Sequence, residues 1–92
     1  MSRHHFHIDY LGHSVSATVR TGHHPVVEVL VDGKETGYAT TREDGAVTVP
    51  VELPTDPPRT VTVRATPGPG VPRCLLLATA DGEPLVMAPR PY

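Results

Sequence analysis

Tryptophan is absent from this 92-residue chain, and one Phe and three Tyr are its only large aromatic side chains. Core volume must therefore come from Val, Leu and Ile, and no pattern of aromatics beside basic residues exists for stacking nucleic-acid bases. Cys74 is the single cysteine, which excludes an internal disulfide. Lysine is nearly missing: Lys34 stands against seven arginines spread singly along the chain, and the net charge is −2. That leaves no concentrated basic face for phosphates, so nucleic acid is not an expected partner. No run approaches the roughly 18 apolar residues of a membrane span, and MSRHHFH has no apolar core of the kind a signal peptide needs. These absences point to a cytoplasmic protein without a membrane or nucleic-acid partner. Helical periodicity is missing as well, and eleven prolines would interrupt most windows.

What is present has period two. FHIDYL sets Phe6, Ile8 and Tyr10 on one face and His7 and Asp9 on the other, and SVSATVR alternates Val15, Ala17 and Val19 with polar residues. A two-residue turn at Leu11-Gly12 or Gly12-His13 would make their apolar faces coincide, so residues 4–20 read as a hairpin. PVVEVLVDGKETGYATT is a second, with Asp32-Gly33 as its type I′ dipeptide. VVEVLV is apolar almost throughout, which predicts a central strand covered on both faces. After Asp44-Gly45, Val47, Val49, Val51 and Leu53 alternate with Thr48, Pro50 and Glu52, and Pro50 marks an edge or a bulge. TVTVRAT turns Val61, Val63 and Ala65 inward. RCLLLATADGEPLVM closes the chain as a third Asp-Gly hairpin, around Asp81-Gly82, with APRPY a frayed tail. The expectation is an all-β chain, one domain over residues 1–92 with frayed ends at about 1–3 and 89–92. About seven or eight short strands would form a small antiparallel β-sandwich or related barrel without significant helix. A chain this short buries only about two-thirds of its unfolded surface, so modest stability or a partner subunit is expected.

VEVLVDGKETGYATTREDGAVTVPVELP followed by TVTVRA resembles bacterial immunoglobulin-like modules over roughly residues 26–66. The shared features are a Val-rich strand, a DG turn, a small-residue strand, a second DG and a Val-rich strand before a proline. The resemblance implies an immunoglobulin-like sandwich and carries no functional residue with it.

Six histidines crowd the first 24 residues of the chain. His5, His7 and Asp9 share one strand face, and an H-x-H pair places two imidazoles about 7 Å apart at the Cα level, close enough to chelate one cation. HHFHID is similar in spacing to the HFHW strand with which α-type carbonic anhydrases bind zinc. Additional ligands could come from His4, His13, His23 or His24, and such a set suits Zn, Ni or Cu. Two other readings compete. Opposite Thr18, Ser16 and Ser14, the same side chains make an ordinary solvated strand face. Protonation of all six would also move the formal charge from −2 to +4, a swing open to pH sensing.

Other chemistry is thinner. Ser14, His13 and Asp9 do not make a triad, because His13 and Ser14 are chain neighbours whose strand side chains diverge. Glu28 reads as an outward charge and Cys74 as a buried small hydrophobe. None of the Asp-Gly sites continues into a calcium loop. Nothing nominates an enzyme. Two strands, Val26–Val31 and Cys74–Ala78, carry apolar residues on both faces, and the surplus face calls for a protein partner or a second copy. FHIDYL is a candidate edge open to strand addition. The reading is a small binding or assembly module, open to forming a homodimer, that requires no cofactor. The alternative is a metal-binding protein built on His5, His7, Asp9, His13, His23 and His24, and a second is an enzyme with an unrecognised cleft.

Overall fold

Alternation of branched apolar residues with polar ones becomes a two-layer β structure in the computed structural model, which describes residues 3–22, 24–40, 46–66, 72–78 and 82–91. Among the described residues there is no helix and nine strands form: β1 (Arg3–Tyr10), β2 (His13–Arg20), β3 (Val26–Val31), β4 (Lys34–Thr40), β5 (Val47–Leu53), β6 (Arg59–Thr66), β7 (Arg73–Leu77), β8 (Leu85–Val86) and β9 (Ala88–Arg90). One antiparallel sheet has the order β4-β3-β2-β1-β9 and the other β5-β6-β7-β8. The chain is all-β and two-layered, as its patterning predicts.

The first hairpin turns at Leu11-Gly12, with φ of 53° and 79°, and the second at Asp32-Gly33, with φ of 52° and 84°. Both central residues of a type I′ turn need positive φ, which matches the right-handed twist of the flanking strands. The first turn sets the register Phe6↔Ala17 and Ile8↔Val15, so the apolar sides of β1 and β2 lie together. From the two sheets, Val15, Val19, Val27 and Val29 meet Val49, Val51, Val61, Val63, Leu53 and Leu76, all at most 2% exposed. Each such side chain contributes about 1.5–3 kcal/mol on leaving water. β4 packs against β5 across the two sheets. A Cβ built on Gly37 would lie 2.5 Å from Val49 Cγ1 and 2.8 Å from Val51 Cγ1, so only glycine fits.

Three expectations need correction. Residues 88–90 of the tail are a strand: β9 pairs with β1, His5↔Arg90, Phe6↔Pro89 and His7↔Ala88. The edge of FHIDYL is therefore covered over those positions. VVEVLV is buried on one side only; Val27, Val29 and Val31 point inward, while Val26, Glu28 and Leu30 lie half-buried on the outer face. Pro50 sits where expected, on the edge strand β5. Apart from β9, which joins β1, each sheet is a run of consecutive strands, and among the described strands the chain crosses between β4 and β5 and between β8 and β9. In an immunoglobulin sandwich successive strands cross between sheets more often. Asp44, Gly45 and Asp81 of the other two Asp-Gly sites lie outside the described residues.

The second crossing shapes the molecule's side. β8 pairs only with β7, Leu75↔Val86 and Leu76↔Leu85, whereas β9 pairs only with β1. Between them the fully buried Met87 donates its N–H to Cys74 O at 3.1 Å. One extended segment thus serves both sheets and stitches the side of the sandwich. Its move from β7 to β1 leaves Arg73, the first residue of β7, without a strand partner on that side among the described residues.

Candidate functional site

On the outer face of the first sheet, cross-strand pairing lines up Arg90, His5, Thr18, Glu28 and Tyr38, with His7 and Ser16 in the row beside them. His7 is the best-connected of these residues. Arg90 Nη2 donates to His7 Nδ1 at 3.0 Å. A guanidinium has no acceptor, so Nδ1 must use its lone pair and the ring proton resides on Nε2. That Nε2–H points at Ser14 Oγ, 2.9 Å away, with Asp9 Oδ1 at 3.3 Å. His5 Nδ1 lies 3.2 Å from Thr18 Oγ1. A small pocket of about 180 Å³ opens between His5, His7, Ser16 and Arg90.

The remaining candidate ligands are elsewhere. His13 leaves the face of His5 and His7 and bridges two turns: its Nδ1 donates to Asp32 Oδ2 at 2.7 Å. Ser14 N–H donates to Asp32 Oδ1 at 2.9 Å, and Asp32 N–H returns a bond to Ser14 O at 2.8 Å. The hydrogen bond from His13, then that from Ser14, holds the Asp32 carboxyl below the ordinary aspartate range. His24 is exposed before β3, at the other end of β2 from His13. Eight strand residues separate those ends by roughly 24 Å, too far to share one cation. His4 stands opposite Val19 on the inner-face parity. His23 lies outside the described residues. Among the described residues no three His, Cys, Asp or Glu side chains gather as a metal ion would require. The H-x-H pair is formed as expected, but His7 spends both ring nitrogens on protein partners. A cation there would have to displace Arg90 or the contact to Ser14.

Glu28 is the outward charge expected, paired with Arg20 Nη2 at 3.3 Å. Cys74 is buried, and desolvation pushes its thiol up to about 12.

The larger concavity is not legible as a motif. Where β9 parts from β7, a cleft of about 630 Å³ opens on the side of the sandwich. Its apolar wall includes Phe6, Cys74 and Met87, at most 5% exposed, together with Leu75, Val86 and Pro89. Arg64 and Arg73 are its only charged lining residues among those described. Register pairs Arg64 with Leu75 and Thr66 with Arg73, so the two arginines are diagonal neighbours on one face of β6 and β7. Such diagonal positions are about 7–8 Å apart. Among the described residues neither arginine has an ion-pair partner, whereas Arg20 has one. The lining comes from β1, β6, β7 and the crossing segment, parts of the chain that share no spacing rule. The one signal within reach is the Arg64–Arg73 pair flanking the β6–β7 connection, visible once those strands are paired. No family model matches the chain, and no curated protein and no solved structure matches it either.

Proposed function

We propose that this protein is a small, non-catalytic binding module whose recognition site is the lateral cleft between β7 and β9. The observation that carries the reading is a drug-sized apolar concavity, about 630 Å³, walled by buried side chains and rimmed by two arginines. Ligand sites are typically clefts of roughly 300–1,000 Å³, mainly apolar and with a few convergent polar groups. The histidine face lacks that character: its pocket is under a third of the volume, and His7 is held by Arg90, Ser14 and Asp9. The lone, buried Cys74 suits a reducing compartment, which supports a cytoplasmic setting as part of the same proposal.

The test is titration with the neutral apolar dye Nile red, followed by its fluorescence, against Pro89→Trp. Pro89 lines the cleft and is exposed, so an indole there occupies the cleft from its open side. One saturable site in the native protein, lost in the variant, is the expected result. Unchanged binding in the variant places the dye elsewhere and defeats the reading.

Assembly is a second reading, carried by one residue. Val86 is 74% exposed on β8, an edge strand that has neither the proline of β5 and β9 nor the charges of β4. Unprotected apolar edges favour pairing with another strand. Self-association through β7 and β8 predicts a dimer in light scattering that Val86→Lys returns to monomer. A monomer at all concentrations contradicts it.

A further inference from the structure

We infer that the cleft takes a small apolar carboxylate, an alkyl or aryl acid whose tail lies along the apolar wall of the cleft while its headgroup meets Arg64 and Arg73 on the outward side of β6 and β7. The inference rests on the cleft being the binding site and adds the chemical class of its ligand. Three features of the geometry carry it.

Charge is the first. Arg64 and Arg73 sit diagonally across β6 and β7, and the described lining of the cleft contains no acid. Two like charges on one sheet face repel unless an anion lies between them. The planar, two-pronged guanidinium matches a carboxylate with paired hydrogen bonds, and such charge-assisted bonds are the strong ones. The second feature is the floor. Cys74 and Met87 are each 1% exposed and Phe6 5%, so the inner wall is apolar, and no acid or amide lies there to hydrate a polar tail. Methionine is a flexible gap-filler, and Met87 can adjust to tails of different shape.

The third feature decides between a small molecule and an added peptide strand. A peptide joining the sheet between β7 and β9 would need backbone N–H donors along both walls. Pro72 precedes β7 and Pro89 is the centre of β9, and neither has an N–H to give. Met87 N–H is already used on Cys74 O. The walls are poor in ladder donors and rich in apolar surface, which favours a molecule held by its tail and headgroup over one held by its backbone.

The chain holds two methionines, Met1 and Met87, so methyl-labelled methionine gives a reporter on the cleft floor and a control at the terminus. Submicellar decanoate should move the Met87 methyl resonance along a saturable curve and leave that of Met1 in place. Arg64→Ala/Arg73→Ala should weaken decanoate about 10-fold or more, the scale of a lost charge-assisted pair. Both arginines are exposed, so the variant keeps the fold, which an unchanged methyl spectrum without ligand verifies. 1-Decanol should bind both proteins equally and more weakly than decanoate binds the native one. Equal binding of decanol and decanoate by the native protein overturns the carboxylate assignment while leaving the cleft as a binding site. Met87 unmoved by decanoate, decanol and decylamine alike overturns both.

Discussion

Asp32 shows how much one side chain can organise. It occupies a left-handed turn position, φ 52°, and its carboxylate collects bonds from His13 Nδ1 and Ser14 N–H, tying the tips of the first two hairpins together. Those bonds favour the charged form and lower its folded pKa below the ordinary 3.8. A depressed pKa means stabilisation that is present above the unfolded value and lost as pH falls through the folded one. Asp32→Asn keeps the turn, since Asn tolerates positive φ, and removes the charge. Urea melts should therefore show the variant less stable than the native chain at pH 7, the gap closing as the pH drops well below 3.8. Cys74 gives the opposite sign. Burial raises its thiol from 9.0 to about 12, so its contribution is complete below pH 9 and lost as pH rises toward 12. Iodoacetamide, a small neutral reagent, should leave Cys74 unalkylated at pH 8 in the native protein and modify it fully in denaturant. Rapid native labelling would mean that the floor of the cleft is open to water and reagent.

At the scale of elements, the turns are the legible part of the chain. Asp32-Gly33 names its own conformation, and period-two alternation of Val with Thr, Ser or Glu is enough by itself to identify the buried face of β2, β5 and β6. The buried character of Cys74 is legible from its three leucine neighbours, and the outward charge of Glu28 from its isolation in an apolar strand. β9 is not. Ala-Pro-Arg carries no branched or aromatic residue, and proline ordinarily argues against a strand. It becomes one because Pro89 lies on an edge, and because Phe6 and the rim of β1 need covering. VVEVLV misleads for a related reason: a half-buried outer Val or Leu looks the same in sequence as one under a second layer. The contact of β4 with β5 offers a sharp test of the packing. Gly37→Ala places a methyl against Val49 and Val51, whose branched side chains have little room to yield. Overpacking of this kind costs about 1–3 kcal/mol, read as a lower urea midpoint with an unchanged slope.

The whole molecule is two sheets of mostly consecutive strands, joined by the return of β9 to β1, with a Cα radius of gyration of 12.4 Å, close to the roughly 12 Å of a compact chain this long. Its distinctive feature is the segment Leu85–Arg90, which leaves one sheet for the other and opens the cleft as it goes. Of the histidine-rich stretch, the most conspicuous part of the sequence, His5 and His7 lie on the outer face of the first sheet. That candidate site is half legible: H-x-H fixes which rings are neighbours, but spacing alone cannot show that Arg90, 83 residues away, occupies one nitrogen of His7. The cleft is hidden for the same physical reason, since its walls are assembled by topology rather than by any local pattern.

The central claim is that recognition belongs to the cleft and that the histidine face is a hydrogen-bonded surface. One NMR titration tests it, following the Met87 methyl and the His5 and His7 ring signals in the same sample as decanoate and then equimolar Zn²⁺ are added. The expected result is that decanoate moves Met87 and that Zn²⁺ leaves both rings in place, with His7 keeping its proton on Nε2. A stoichiometric zinc shift at His5 and His7, with Met87 unmoved by decanoate, would contradict that claim and return the opening stretch to a ligand set.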